Sequence, residues 1–260
     1  MKLHVLKDLR RLASEASAEV ARIARDSIAD RGVFRVALSG GSTPLALYES
    51  LVRAKVDWNR VEFFFSDERN VPPDHEQSNF RLANEHLFLP LSIDPERIYP
   101  WHPEVGGPDA VGEDYSSRIR VAFVRNHPSA DPSSDSLMAT PDNEIRFDLV
   151  LLGMGADGHT ASLFPKTMAL HFTGEIAAAN WVPQLHEWRY TFTFTTINNA
   201  RSVLFLVSGE EKAAALREVI EGERQPDLLP AQSVQPLDGE LFWFVDRAAA
   251  LDLTPKHLIS

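Results

Sequence analysis

The 260-residue chain contains no cysteine. That absence excludes disulfide bridges, a thiolate nucleophile, cysteine-ligated zinc and iron–sulfur clusters, and leaves oxygen and nitrogen groups to carry any chemistry. A membrane span needs roughly 20 consecutive apolar residues, and no window approaches that. The N-terminus does not pair a basic segment with an apolar run and a small-residue cleavage site. The expectation is a soluble, cytoplasmic protein whose mature form is the encoded one. Positive charge is also scarce: 26 Lys and Arg against 37 Asp and Glu give a formal net charge of −11. Nucleic acid and anionic membrane are not expected as partners, because such binding rests on clustered Lys and Arg neutralising phosphates. A small anionic substrate would need a local basic site.

With 44% hydrophobic residues the chain can bury a sizeable core, and one large α/β domain is expected. Asp8 to Asp30 places Leu12, Ala16, Val20, Ile23 and Ile28 at helical spacing, with Gly32 as terminator. The apolar, β-branched run 33–38 predicts a strand, which enters the turn Ser39-Gly-Gly-Ser-Thr-Pro44 before a helix over 45–52. The pattern recurs as a strand over 61–65, a polar loop over 66–77 and a helix capped by Ser78 that includes Phe80, Leu82, Leu87 and Phe88. A strand over 147–152 runs into Gly153-Met-Gly-Ala-Asp-Gly-His159. Period-two alternation predicts a strand over 189–197, followed by a strand over 203–207, a helix over 210–220 and a last strand over 241–245. Such alternation specifies a Rossmann-like, open, mainly parallel sheet with helices on both faces. The Pro/Ser/Asp/Asn-rich stretch 126–144 reads as a surface-loop insertion in this single domain.

In an open parallel sheet the loops at the carboxyl ends of the strands form the ligand edge. The first such loop offers the amides of Gly40 and Gly41 and the hydroxyls of Ser39, Ser42 and Thr43 at a helix N-terminus, a ready phosphate site. Pro44 would stand at the first helical position. An ordinary tight turn uses the same residues. The glycine turn at 153–160 satisfies G-x-G-x-x-G and comes within one residue of a Walker A loop, with His159 where lysine should stand. Pro165 follows too soon for the running helix a dinucleotide site needs, and imidazole does not replace the P-loop ammonium. No nucleotide cofactor is therefore expected. Asp157 and His159, two apart in this loop, offer a general base near neutral pH with a carboxylate to fix its tautomer. A turn aspartate bonding its own backbone, beside a packing histidine, is the bland alternative. His75, His86, His171 and His186 lack metal-site spacing such as H-E-x-x-H, and no metal is expected.

The segment Phe147-Asp-Leu-Val-Leu-Leu-Gly-Met-Gly-Ala-Asp-Gly-His-Thr-Ala-Ser-Leu-Phe-Pro165 resembles the signature of the 6-phosphogluconolactonases. Ser39–Pro44 resembles their phosphate loop. Phe63-Phe-Phe-Ser-Asp-Glu-Arg-Asn-Val-Pro72, Ser78-Asn-Phe80, Arg189-Tyr-Thr-Phe-Thr193, Ile197-Asn198, Ala200-Arg201 and the stretch 206–212 are similar too, in the expected order. The stretch 126–144 is longer than the family pattern. Glucosamine-6-phosphate deaminases share the fold and several motifs. They are expected to read Asp-Glu-Tyr where this chain has Asp67-Glu68-Arg69, and Asn-Glu-Pro after the histidine turn where it has Ser162-Leu163-Phe164-Pro165, so both flanks favour the lactonase.

The resemblance implies hydrolysis of 6-phospho-D-glucono-1,5-lactone to 6-phospho-D-gluconate, the second step of the oxidative pentose phosphate pathway. His159 would activate water, and Asp157 would orient His159 or a substrate hydroxyl. Arg69 and Arg189 are implied at the phosphate, where an Arg fork suits the oxygens better than Lys. Lys212, near a helix start, is a third candidate, with a solvated surface lysine as the equal alternative. Backbone amides of the Gly153–Gly158 turn, Gly155 among them, or of Gly40–Gly41 are the natural donors to a tetrahedral oxyanion. No G-x-S-x-G elbow is present, so Ser39, Ser42 and Ser162 read as binding or turn residues. Asp67 and Glu68, possible bases in a deaminase, are expected to hold Arg69 or nearby backbone in a lactonase. A non-catalytic sugar-phosphate sensor on the same fold is the remaining alternative.

Overall fold

A computed structural model describes residues 1–125 and 145–255, so the loop expected at 126–144 lies outside the described residues. Its frame is a six-stranded parallel sheet in the order β1-β9-β8-β5-β2-β3. The strands are β1 (Lys2–Leu6), β2 (Phe34–Leu38), β3 (Val61–Phe65), β5 (Leu149–Leu152), β8 (Ser202–Val207) and β9 (Glu240–Asp246). β5 and β8 are buried along their whole length, as parallel strands covered on both faces must be. Edge strand β1 was not apparent from its sequence, because Lys2 and His4 dilute so short a run. A second sheet, β4 (Asp67–Arg69), β7 (Glu187–Phe192) and β6 (Ala177–Val182), is antiparallel in the order β4-β7-β6.

α1 (Leu9–Arg31) forms as its sequence dictates. Asp8 accepts the Arg11 N–H at 2.9 Å as N-cap, and Gly32 at φ 80° closes the helix in the left-handed region. α1 packs with α2 (Ser42–Leu51) on one face of the main sheet. The opposite face is covered by α5 (Pro108–Arg125) and by the antiparallel sheet, which supply Phe123 and Phe192 against Phe147. β3 shows the two-sided burial residue by residue. Phe63 and Phe65 meet Phe88 of the π-helical turn Asn84–Phe88, which follows α3 (Asn79–Ala83) and leads into α4 (Leu89–Leu91). Phe64 points the other way, onto Tyr99, Phe123 and Phe147.

The expected loop 66–77 contains the short strand β4. The alternation read over 189–197 stops at Phe192, because Thr193 turns to cap α6 (Phe194–Asn199), its side chain accepting from Thr196 N–H. α2 begins at Ser42, so Pro44 sits two positions deeper than expected, still within the turn where its missing N–H costs nothing. The helix expected over 210–220 opens as a 3₁₀ turn, Glu210–Lys212, before α7 (Ala213–Glu221).

The two sheets join at Ser66. This fully buried residue donates its N–H to Leu38 O at 2.8 Å and its hydroxyl to the same oxygen at 2.9 Å, while its own carbonyl accepts from Phe192 N–H at 2.7 Å. Beneath the joint, Phe64 is fully buried with Tyr99 stacked at 4.5 Å and Phe147 edge-on at 5.1 Å. Phe64→Ala is expected to cost about 3–5 kcal/mol in urea unfolding. A loss below about 1 kcal/mol would mean that this aromatic cluster does not hold the joint.

Candidate active site

Neighbouring strands β5, β2 and β3 send three loops to one edge of the sheet, and the predicted residues lie on them. The loop after β5 brings Asp157 Oδ1 to 2.6 Å from His159 Nδ1. The same oxygen accepts the His159 backbone N–H at 3.1 Å, so one carboxylate oxygen fixes both ring and chain. The turn is closed by Gly155 N–H to His159 O at 2.9 Å and by Thr160 Oγ1 to Gly153 O at 2.8 Å. Phe164 lies against the imidazole, with ring centroids 4.0 Å apart and planes 22° from parallel.

Gly155 has no room for a side chain. A Cβ there would stand 2.1 Å from His159 Nδ1 and 2.5 Å from Asp157 Oδ1. Burial alone would push the Asp157 carboxyl up, but the His159 hydrogen bond, the imidazole's charge and the backbone donors outweigh it and hold it below the usual carboxylate range. An ionised Asp157 can only accept, so Nδ1 carries a proton, and in the neutral ring Nε2 keeps its lone pair. The amides of Gly155, Gly158 and His159 are spent inside the turn, which removes them as donors to an oxyanion.

The loop after β2 differs in kind. Where Asp8, Ser78 and Thr193 cap their helices with side chains, Gly41, the N-cap of α2, offers none. The first helical bond, Leu45 N–H to Gly41 O at 3.1 Å, leaves the amides of Ser42 and Thr43 ahead of the hydrogen-bond ladder. Gly41 itself takes φ 104°, a conformation side chains disfavour. Ser39 is pinned at both backbone groups by the buried Tyr48 hydroxyl, while its own Oγ is buried without a partner.

Beside this loop, the β4–β7 pairing sets Arg69 directly across from Arg189. Arg189 leans on Glu187 and Arg69 donates to Gln77 O, yet the Nε of each is buried without a hydrogen bond. Two like charges placed opposite each other are unfavourable unless an anion answers both. Glu68 points away from them. Its carboxylate accepts the N–H groups of Arg69, Asn79 and Phe80 at 2.9, 2.8 and 2.9 Å, the backbone-holding role expected of it. Lys212 follows β8 at the same sheet edge, but among the described residues no hydrogen bond or ion pair ties it to the other loops.

Several residues of the site were not read from the sequence. Asn79 carried no signal beyond lying in a family-like segment, Ser162 was read only as a binding or turn residue and Phe164 only as part of a discriminating flank, and Tyr48 was not singled out. A concavity of about 840 Å³ between α1 and α2 contains none of these residues. The site is an open sheet edge defined by its polar groups.

A family model described as glucosamine-6-phosphate isomerases/6-phosphogluconolactonase matches residues 7–243. A Synechocystis protein named 6-phosphogluconolactonase is 37% identical over 229 residues, covering 88% of each chain. A human protein of the same name is 37% identical over 230 residues, 86% of this chain and 82% of that one. The crystal structure of the Thermotoga maritima 6-phosphogluconolactonase superposes with TM-score 0.77 at 31% identity, covering 94% of this chain and 99% of that one. On the match along residues 7–243 and on these identities, the chain belongs to the glucosamine-6-phosphate isomerase/6-phosphogluconolactonase family.

Proposed function

We propose that this protein is a cytoplasmic hydrolase that opens 6-phospho-D-glucono-1,5-lactone to 6-phospho-D-gluconate. The observation that carries the reading is the 2.6 Å contact between Asp157 Oδ1 and His159 Nδ1. It leaves Nε2 free to take a proton from water as the water oxygen attacks the lactone carbonyl carbon. The tetrahedral intermediate collapses with cleavage of the bond to the ring oxygen, and the imidazolium returns its proton to that oxygen. One histidine thus serves both steps, and no covalent enzyme intermediate is needed. Arg69, Arg189 and the uncapped start of α2 supply the local positive site that an anionic substrate requires on a chain of net charge −11. The same net charge supports a small-molecule partner and argues against nucleic acid.

Phe164 supports the lactonase over the deaminase. It stacks on His159 at 4.0 Å within the flank that departs from the deaminase pattern, so that among the described residues the imidazole meets the Asp157 carboxylate and an apolar ring.

Stopped-flow proton release on freshly made lactone tests the reading. Wild type is expected to outrun spontaneous opening, and His159→Ala to fall by about 10²–10⁴-fold, towards the buffer rate. If wild type only matched buffer, the activity would be wrong. Asp157→Asn is expected to lower kcat, because the amide carries no negative charge to stabilise the imidazolium that forms as water loses its proton. An unchanged kcat would detach Asp157 from His159. Gly155→Ala is expected to remain folded by thermal melt yet lose at least about 10²-fold in kcat, since its methyl must displace the His159 ring.

A further inference from the structure

Asp67 is buried at the head of β4, and neutral donors take both its carboxylate oxygens. Ser162 Oγ donates to Oδ2 at 2.8 Å and Asn79 Nδ2 to Oδ1 at 3.2 Å, while Asn79 Nδ2 also reaches the Asp67 carbonyl at 2.9 Å. Ser162 belongs to the loop after β5, and Asn79 opens α3. Ser162 is three residues beyond His159. It is stitched to every strand of the antiparallel sheet: to β4 through Asp67, to β7 through its N–H to Thr191 Oγ1 at 3.3 Å, and to β6 through Asn180 Nδ2 to its carbonyl at 2.9 Å. Asn79 lies hard against the first glycine turn, where a Cβ on Gly40 would stand 1.7 Å from its Oδ1.

We propose that Asp67 is a positioning residue that holds the His159 turn, through Ser162, and the glycine turn ahead of α2, through Asn79, at a fixed separation. The inference rests on the lactonase reading. It assigns Asp67 no proton transfer, although a carboxylate here could act as a base in the deaminase alternative. A substrate anchored at one end by its phosphate and attacked at the other by water needs that separation set, and a displacement of about 1 Å can cost on the order of 10²-fold. The arms divide the labour: the Ser162 arm bears on turnover and the Asn79 arm on affinity.

The test combines lactone kinetics, calorimetric binding of 6-phosphogluconate and amide hydrogen exchange of the 153–160 turn. Asp67→Ala is expected to lower kcat about 10²-fold. Asp67→Asn should recover most of that loss, because its Oδ1 still accepts from Asn79 and its Nδ2 donates to Ser162 Oγ. Its pH profile should keep the wild-type shape. Ser162→Ala should lower kcat about 10-fold with product affinity nearly kept, and Asn79→Ala should act mainly on affinity. Exchange of the turn should quicken in Ser162→Ala and Asp67→Ala, but not in Asn79→Ala.

Asp67→Asn as inactive as His159→Ala, with a displaced pH profile, would make Asp67 a proton-transfer group and overturn the proposal. Unchanged kinetics and unchanged exchange in Ser162→Ala would overturn it as well. If Asp67→Ala does not fold, Asp67→Asn and Ser162→Ala still decide. Hydrogen exchange needs no turnover, so a wild type inactive on the lactone would sink the functional reading while the positioning role was still read.

Discussion

The contact between Asp157 and His159 is the constraint around which the site is built. At 2.6 Å it is short and charge-assisted, and one carboxylate oxygen serves both the imidazole and the backbone amide of the same residue. Such closeness over two residues requires a tight turn, and the tight turn requires Gly155, which a methyl group would fill at 2.1 Å from the ring. The turn in turn needs a rigid base, which β5 supplies as four buried residues inside a parallel sheet. The chemistry of one nitrogen is thereby traced to the packing of a strand.

The other half of the site answers a charge problem. On the proposed reading, a protein with net charge −11 repels its phosphorylated substrate at long range, so recognition would depend on positive groups kept close. β4 and β7 hold two arginines opposite one another, and α2 begins without a side-chain cap. Arg189 is paired with Glu187, yet the Nε of each arginine stays buried without a hydrogen bond. The antiparallel sheet therefore does more than cover a face of the main sheet. It carries the arginines and, through Ser162, grips the turn of the histidine.

Much of this was legible in the sequence where one residue type has one physical use. Asp8 and Gly32 bracket α1 as expected, and the apolar runs at 61–65 and 203–207 become strands within a residue or so. The glycine turns mark the functional edge, and family motifs supply the arginines. What stayed hidden depends on distant partners. β1 and β4 are too short to show periodicity, and they exist because β9 and β7 offer them hydrogen bonds. The strand expected over 189–197 was cut short because a threonine that fits a strand fits a helix cap equally well. The pairing of Asn79 with Ser162 stayed hidden because it runs through a single buried carboxylate, which is brought to them by the fold.

The central claim is that Asp157 fixes the tautomer in which His159 keeps its proton on Nδ1 and presents a bare Nε2. Nitrogen-15 NMR of protein labelled in histidine, with His159→Ala to assign the resonance, tests it most directly. For the neutral ring the account predicts a protonated Nδ1 and an Nε2 shift typical of an unprotonated imidazole nitrogen, with the pattern lost in Asp157→Ala. A proton found on Nε2 in the neutral ring would contradict it, because that nitrogen could then take no proton from water.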